Sequence, residues 1–369
     1  MILFIDNKQN IPDKGRPTRF YSFLQILNEN GIESSFIVGS WSHHFKRRII
    51  LDKTAVYYVN NFSYYGHVGL RRLFSELFFG YQVLYKYSKL LNKADVLVFN
   101  DSGIFYNYLF YFLKPFFGYK IMLDSFDLWP EIFFKSNFLK KITYNIKKMI
   151  FKKTDFFIAV NKDYSDYYKF LKGKSYGVIY LGSSKKVIKE LACNIFDKST
   201  KRLLYIGTFG VNYLIDEMCN FVISNPEWTL DCYGTGPKES VIKEYALNSN
   251  GRISVYGYVP LGEIIRNNNK YSFGVAIYSS NSLVKFPTKL IDYWTFSLPV
   301  LVNVGNEVED LIVNCKELGL YLKNIEDFNN DNLVKYLNEY PNNSDEINFD
   351  FSIDERVLEV FKCVLNIKD

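Results

Sequence analysis

Residues 286–294 (FPTKLIDYW) predict the start of a helix, and the apolar run at 298–302 (LPVLV) predicts the buried strand that follows it. The proline has the fixed φ that suits the beginning of a helix, so Thr288 and Lys289 fall in the first turn, where free N–H groups and the helix dipole attract phosphate. Asp292 comes three residues after Lys289, which places both side chains on one face. The pattern favours a site that holds the diphosphate and ribose of a nucleotide. An ordinary capped helix with an exposed Lys and Asp fits the same nine residues.

Length and composition exclude several classes of protein. A chain of 369 residues favours two domains, and 48% hydrophobic residues supply large cores. The five cysteines form no C-x-x-C pair and no ligand spacing with the three histidines, as is typical of a reducing cytoplasm without a zinc site. The most apolar run, 104–119, contains Asn107, Lys114 and Pro115 and falls short of the ~20 apolar residues of a spanning helix. We therefore expect no transmembrane helix, and residues 1–6, too short for a signal-peptide core, predict a first strand.

Charge is unevenly distributed along the chain. Residues 1–184 hold 26 Lys and Arg against 14 Asp and Glu, a net charge of +12, whereas the remainder carries −6. This asymmetry suggests that the first half faces something anionic, either a membrane or a nucleic acid. No nucleic-acid module is recognisable, so we expect no nucleic-acid partner.

Residues 137–153 combine apolar side chains with lysines and contain no acid, which is typical of a basic amphipathic helix on a membrane surface. A helix that packs on a sheet while its lysines are merely solvated fits the same pattern. The lysines are Lys140, Lys141, Lys147, Lys148, Lys152 and Lys153.

Short β-rich runs alternate with helical patterns in both halves of the chain, which predicts parallel sheets with crossover helices and hence an α/β protein of two doubly wound, Rossmann-like domains. The predicted strands are 2–6, 35–38, 96–99, 120–124 and 156–160, then 202–206, 229–233, 253–256, 273–278 and 299–304. The predicted domains are 1–184 and 185–353. The last segment, 354–369, is predicted to contain a helix at 354–365, which could pack against either domain, including back on the first.

Two of these strands run into glycine-containing turns that precede helices, GTFG at 207–210 and GTGP at 234–237. Free N–H groups, with glycine to let the backbone approach, could cradle a phosphate. Each turn alone also fits plain turn chemistry. Together with residues 286–294 they favour a nucleotide site outside the carboxyl ends of the strands, where doubly wound domains bind ligands.

The order of these motifs resembles the donor-binding domain of retaining glycosyltransferase family 4, which has the GT-B fold of two such domains facing a cleft. The resemblance rests on LYIG (204–207), LDCYGTGP (230–237), ISVYGYV (253–259), FPTKLIDYW (286–294) and LPVL (298–301). In the first half, DKGRPTRF (13–20) and LNENGIE (27–33) look like the family's glycine loop and first helix. SWSHH (40–44) and DSFDLWPE (124–131) look like its bacterial surface-polysaccharide branch. The resemblance spans roughly residues 1–325.

The resemblance implies that the second domain binds a nucleotide sugar. Residues 257–259 would line the nucleobase pocket through their backbone, Asp292 would bind the ribose hydroxyls, and Lys289 with the turn 207–208 would hold the diphosphate. The donor-binding residues so predicted are Gly207, Thr208, Gly234, Gly257, Tyr258, Val259, Thr288, Lys289 and Asp292.

The resemblance also implies that the first domain binds the acceptor. Asp127 and Gly15 would face the sugar and acceptor across the cleft, with Arg19 and His43 beside them, and Asp127 and Lys289 would act in catalysis. Asp127 also fits a helix N-cap, and the pair formed by His43 and its neighbour also fits a surface loop.

The chain departs from the family's pattern at two positions. With Asp292 as the second acid of an E-x7-E motif, the first would fall at position 284, which is Val284. Phe126 stands where close relatives often carry His. In addition, few basic residues follow Gly207, so Lys289 would carry more of the phosphate charge.

Retention of configuration without a double carboxylate implies a front-face mechanism, in which the leaving diphosphate helps to deprotonate the acceptor hydroxyl. The protein then has to stabilise the departing charge and position both substrates. A lysine and helix dipoles can neutralise that charge, and no D-x-D motif follows a strand. We therefore expect no metal and no cofactor.

The function predicted from these features is transfer of a hexosyl or N-acetylhexosaminyl group from a nucleoside-diphosphate sugar to a lipid-linked saccharide, in capsule or O-antigen type polysaccharide synthesis. The protein would be cytoplasmic and peripherally bound to the inner face of the membrane. A nucleotide-sugar epimerase of the same architecture is one alternative, and it would require a catalytic acid or base deep in the cleft and a less apolar first domain. A catalytically silent donor-binding subunit is the other alternative, and Val284 is its main support.

Overall fold

The computed structural model describes residues 1–8, 17–42, 47–64, 69–126, 136–266, 269–280, Ser282, 284–340 and 352–367. The chain divides into two compact units. The first comprises Met1–Tyr180 and Ile353–Asp369, and the second comprises Leu181–Ser352.

The elements alternate between strand and helix along most of the described chain. The strands are β1 (Ile2–Asp6), β2 (Ser34–Gly39), β3 (Trp41–Ser42), β4 (Arg47–Arg48), β5 (Val56–Val59), β6 (Val96–Asn100), β7 (Lys120–Ser125), β8 (Phe156–Ala159), β9 (Ser175–Val178), β10 (Arg202–Ile206), β11 (Thr229–Tyr233), β12 (Ile253–Val255), β13 (Phe273–Ala276), β14 (Val300–Val302) and β15 (Gly319–Tyr321). The α-helices are α1 (Arg19–Glu29), α2 (Leu70–Lys93), α3 (Ile104–Phe117), α4 (Asn137–Phe151), α5 (Lys162–Tyr167), α6 (Lys185–Leu191), α7 (Ile215–Ser224), α8 (Glu239–Leu247), α9 (Leu261–Arg266), α10 (Thr288–Thr295), α11 (Asn306–Asn314), α12 (Asn330–Glu339) and α13 (Asp354–Leu365).

The first unit is built on a parallel sheet with the strand order β5-β2-β1-β6-β7-β8-β9, as far as the described residues show. Alternate residues of its buried strands point to opposite faces. Leu3 and Ile5 belong to a core with α2, α3 and α4 on one face, whereas Ile2 and Phe4 belong to a core with α1 and α13 on the other. The order reverses between β1 and β6, the point at which doubly wound sheets leave a crevice.

The carboxyl-terminal helix α13 packs in the first unit, against α1. The ring of Phe361 lies 5.8 Å from the ring of Phe4 and 6.0 Å from the ring of Phe23. The guanidinium of Arg356 donates hydrogen bonds to the carbonyl oxygens of Tyr176 (2.7 Å) and Val178 (3.2 Å). The first unit therefore draws its core from both ends of the chain.

The second unit repeats this topology, with the parallel order β12-β11-β10-β13-β14-β15 in the part of the chain described. The order reverses between β10 and β13. The predicted α/β class, with two doubly wound domains, is confirmed. Of the strands in the two parallel sheets, the prediction lacks β5, β9 and β15, all of which are partly exposed edge strands. It also lacks the short strands β3 and β4.

None of the helices in the described ranges combines the length and the apolar composition needed to cross a bilayer.

Candidate functional site

The predicted donor residues follow strands that meet at the reversal point of the second sheet. Gly207 comes directly after β10, and α10 follows β13, the neighbouring strand. Because all strands of this sheet run parallel, their carboxyl ends share one edge. The structure thus brings the glycine turn and the Thr288–Asp292 turn of α10 to the same edge of the sheet.

Helix α10 is held rigidly in the second unit. Pro287 has φ −67° and ψ 129°, so it is the residue before the helix rather than the first helical residue. The Tyr293 hydroxyl donates to the carbonyl of Val275 (3.1 Å) and accepts from the N–H of Ile206 (2.9 Å). These two bonds fasten α10 to both strands of the reversal point.

Lys289 and Asp292 lie on the buried side of α10, with 8% and 9% of their surfaces exposed. This agrees with the common face predicted from their spacing. Thr288, in contrast, is exposed at the start of the helix. The capped-helix alternative, which expects an exposed Lys and Asp, does not describe this arrangement.

The ammonium group of Lys289 is enclosed by tyrosine rings, which we call the tyrosine cage. Its Nζ lies 4.0 Å from the ring centroid of Tyr205, 4.2 Å from that of Tyr213 and 5.8 Å from that of Tyr278. Ring faces attract a cation at such distances. Among the described residues, this buried Nζ makes no hydrogen bond.

Burial lowers the pKa of Lys289 from 10.5 to about 7, and the charge of Asp292 opposes the decrease. A lysine in this state gains strongly from a second anionic neighbour, because an opposite charge within a few ångströms favours the ammonium form. A Cβ placed on Gly207 would lie 3.2 Å from Nζ, so the glycine turn runs directly past the ammonium.

The turns after β10, β11 and β12 are joined by main-chain hydrogen bonds. The Gly207 N–H donates to the carbonyl of Tyr233 (2.9 Å), and the Gly234 N–H donates to the carbonyl of Gly257 (2.6 Å). The side-chain hydroxyl of Tyr205 adds a bond to the carbonyl of Thr208 (2.7 Å). Gly234 has φ +152°, and a Cβ there would lie 1.8 Å from the carbonyl oxygen of Gly207. Glycine is therefore required at position 234, and these predicted donor residues form one surface.

The predicted nucleobase residues continue this surface beyond β12. Gly257 has φ +70°, Tyr258 is half exposed, and Val259 packs on a core of the second unit. The rings of Tyr233 and Tyr256 stack at 4.5 Å with an angle of 11° between their planes. The arrangement offers main-chain groups and a flat aromatic surface beside the glycine turns.

Position 284 carries no acid in the structure either. Val284 lies at the periphery of a core of the second unit, and its N–H donates to the Ser282 hydroxyl (3.2 Å).

Asp127, Gly15 and His43 lie outside the described residues, so their predicted roles stay predictions. Arg19 is described and is buried: Nε and Nη2 donate to the two carboxylate oxygens of Asp124 at 2.6 and 3.0 Å, and Nη1 donates to the carbonyl of Tyr180 (3.1 Å). Burial raises the pKa of Asp124, and the charge of Arg19 opposes the increase. The guanidinium of Arg19 is thus engaged within its own unit, while its predicted acceptor role also stays a prediction.

A buried polar cluster that the sequence did not predict lies at the β1–β6 reversal point. The Asn100 side chain donates to Asp6, and Lys8 Nζ donates to the carbonyl of Ser102 (2.7 Å) and lies 3.4 Å from Glu76 Oε1. The available signal was that Asp6 and Asn100 end neighbouring strands of a parallel sheet. The tyrosine cage was also missed, since its members come from separate parts of the chain. Across the described residues, no set of three or more His, Cys, Asp or Glu side chains is placed to hold a metal ion.

No family model matches the chain, and no curated protein matches it in sequence. Among solved structures it is similar to sucrose-phosphate synthase from Thermosynechococcus elongatus, with a TM-score of 0.69 and 12% identity over 100% of this chain and 99% of that one. It is similar to the catalytic domain of starch synthase IV from Arabidopsis thaliana bound to ADP and acarbose, with a TM-score of 0.67 and 10% identity over 99% and 98% of the two chains. It is also similar to a UDP-N-acetylglucosamine 2-epimerase, with a TM-score of 0.52 and 11% identity over 99% and 95%. Identities this low show the fold alone, and the fold is the predicted GT-B fold.

Proposed function

We propose that this protein is a retaining glycosyltransferase that moves a sugar from a nucleoside-diphosphate sugar to a lipid-linked saccharide in capsule or O-antigen type polysaccharide synthesis. The observation that carries the proposal is the buried Lys289 ammonium at the reversal point of the second sheet, which has no hydrogen-bond acceptor within the described residues. A donor diphosphate would supply that acceptor. The ordered family 4 motifs and the ADP bound to the starch synthase domain of the same fold support the choice of ligand.

Different residues of the second unit would bind different parts of the nucleotide-sugar donor. Gly207 would let the backbone come close to the diphosphate, although its own N–H is bonded to the carbonyl of Tyr233. The N–H of Thr208 and the N–H groups of the first turn of α10 would donate to the phosphate oxygens. Asp292, one turn along α10 from Lys289, would accept hydrogen bonds from the ribose hydroxyls. Residues 257–259 would hold the nucleobase through their backbone.

Catalysis would follow a front-face course. The bond from the anomeric carbon to the leaving phosphate oxygen breaks, the acceptor oxygen bonds to the same face of that carbon, and the acceptor proton passes to the departing diphosphate. Lys289 and the N-terminus of α10 would stabilise the negative charge that develops on the diphosphate. No metal or cofactor takes part in the proposed reaction, and Asp127 would position the acceptor.

The acceptor we propose is a saccharide on an anionic lipid diphosphate, reached at the inner face of the cytoplasmic membrane. The net charge of +12 on residues 1–184 and the lysines of α4 support an anionic partner in the first unit. The protein would therefore be cytoplasmic and peripheral.

An epimerase is the second candidate, favoured by the structural similarity to a UDP-N-acetylglucosamine 2-epimerase. A silent donor-binding subunit is the third, favoured by Val284. Calorimetry or thermal shift with a panel of nucleoside diphosphates and nucleotide sugars tests donor binding. Product analysis with each bound donor then separates the three: sugar transfer supports the transferase, conversion of the free donor supports the epimerase, and binding without turnover supports the silent subunit.

Asp292→Ala is expected to weaken the binding of nucleosides and of nucleotides alike, by roughly 1–3 kcal/mol, which is the scale of hydrogen bonds to a charged group. Lys289→Ala should weaken the binding of nucleoside diphosphates and leave the affinity for nucleosides nearly unchanged. Calorimetric titration with both ligand types measures the difference, with Asp310→Ala, an exposed acid on α11, as the control. Equal affinities for the wild type and both variants would contradict the assignment of the donor site to this helix.

Asp127→Asn should slow the chemical step while nucleotide affinity stays nearly intact, because Asp127 is not among the residues assigned to the nucleotide. Single-turnover transfer with saturating donor measures the step, and NMR of the product reports the anomeric configuration, which should match that of the donor. Undiminished transfer by the variant contradicts the role of Asp127, and an inverted product contradicts the front-face course.

A further inference from the structure

Large apolar side chains are exposed along the outer side of three neighbouring helices of the first unit. Phe74 and Tyr81 of α2, Phe112 and Phe116 of α3, and Phe138 and Met149 of α4 each expose 56–76% of their surface. We call the solvent-facing side of α2, α3 and α4 the outer helix face. Large exposed apolar patches on a soluble fold mark interaction sites.

The three helices form one layer. The inner sides of all three contribute to a single core on one face of the sheet, through Phe79 of α2, Phe110 of α3 and Phe151 of α4. Helix α2 packs on α3, and α3 packs on α4. The exposed side chains therefore lie on one layer of packed helices.

The exposed charges on these three helices are all positive. Glu76 is the only acidic residue in the sequences of α2, α3 and α4, and it is fully buried. Arg71, Lys86 and Lys141 are exposed on the helices, and Lys152 and Lys153 are exposed just after α4. Lys147 does not belong to this set: the sequence grouped it with the surface lysines, whereas the structure buries it completely.

We propose that the outer helix face docks on a bilayer surface that contains anionic phospholipids. The exposed cations would lie among the headgroups, and Phe112 and Phe116 would enter the boundary of the acyl region, as in interfacial amphipathic helices. A second copy of this face is a poor partner, because it would set lysines against lysines. The inference deepens the proposed function, on which its biological meaning rests, since it names the surface on which a lipid-linked acceptor would be reached.

The test is co-sedimentation of the full chain with vesicles, without donor or acceptor. Vesicles of equimolar phosphatidylglycerol and phosphatidylcholine are compared with vesicles of phosphatidylcholine alone. Lys141→Gln/Lys152→Gln/Lys153→Gln should weaken partitioning into the anionic vesicles by about 100-fold, since each basic residue near such a surface contributes a factor of about five. Its matched control, Lys53→Gln/Lys198→Gln/Lys335→Gln, removes the same charge from exposed sites elsewhere and should stay close to the wild type.

The apolar contribution is tested at high salt, where the electrostatic attraction is screened. Phe112→Ser/Phe116→Ser should reduce the remaining binding about tenfold or more. The control Val211→Ser/Leu247→Ser removes exposed apolar side chains of the second unit and should have no effect.

Three results would overturn the inference: no binding of the wild type to anionic vesicles, equal loss in the lysine control, or a dimer in analytical ultracentrifugation that Phe112→Ser/Phe116→Ser converts to a monomer. Failure here is distinguishable from failure of the proposed function. A protein that transfers sugar to a water-soluble acceptor without binding vesicles keeps its enzymatic assignment. A protein that binds vesicles but binds no nucleotide would contradict the enzymatic assignment.

Discussion

The affinity of the protein for a nucleoside diphosphate should fall about tenfold for each unit of pH above about 7, with uptake of one proton on binding. Burial holds the pKa of Lys289 at about 7 in the free protein. A bound diphosphate next to Nζ favours the ammonium form and raises this pKa, so binding and protonation are linked. Above pH 7 most of the free protein carries a neutral Lys289, which has to take up a proton when the diphosphate binds. The free energy spent on this protonation grows with pH until the raised pKa of the complex is reached.

Calorimetry in two buffers with different ionisation enthalpies measures the proton uptake directly. Lys289→Met should bind the diphosphate weakly and with no such pH dependence, and a nucleoside without phosphates should show none with either protein. An affinity of the wild type that stays constant from about pH 7 to pH 9 would mean that Lys289 does not contact the phosphates.

The same lysine should affect the stability of the free protein in the opposite sense. Its pKa in the folded state lies below the unfolded value of 10.5, so between about pH 7 and 10.5 the unfolded state binds more protons and the free energy of unfolding rises with pH. The destabilisation is fully present below about pH 7 and is lost as the pH approaches 10.5. Lys289→Met should therefore raise the free energy of unfolding at neutral pH and flatten its pH dependence.

Gly234→Ala should lower the free energy of unfolding by about 3 kcal/mol or more and abolish tight nucleotide binding. The new methyl group would lie 1.8 Å from the carbonyl oxygen of Gly207 at a φ of +152°, so overpacking and backbone strain of about 1–3 kcal/mol each act together. Relief of the clash has to displace the Gly207 turn, which runs past Lys289.

Gly251→Ala is the matched control. Gly251 also has a positive φ, +78°, but a Cβ there meets nothing within 4 Å. The Gly251→Ala variant should lose only about 1–2 kcal/mol of its free energy of unfolding and should keep its nucleotide affinity. Urea unfolding and calorimetry measure both quantities, and similar losses for the two variants would show that the contact between the turns does not shape the site.

Local patterns were sufficient for much of this fold. Strand β1 and helix α13 have the bounds predicted from the sequence, and Lys289 and Asp292 share a face because helical spacing alone requires it. Features that depend on distant residues were not predictable in the same way. The Arg19–Asp124 pair joins positions 105 residues apart, and Lys147 is buried although its helix is basic, because burial depends on what the sheet and neighbouring helices leave open.

The tyrosine cage shows the same limit within the candidate site. Its rings come from β10, from the segment after β10 and from the segment after β13, so no single window of sequence contains them. The low pKa of Lys289 follows from that enclosure, and the sequence offered only a lysine near a helix start.

The place of α13 in the first unit has a consequence for synthesis on the ribosome. Every residue of the second unit is translated before Ile353, whereas the first unit lacks the helix that packs on Phe4 and Phe23 until residues 354–365 have emerged. The nascent first unit would expose the aromatic surface that α13 later covers, at a stage when all strands of the second unit have already been synthesised. The unit translated first would thus be the last to close its core, and chaperones would meet it in that open state.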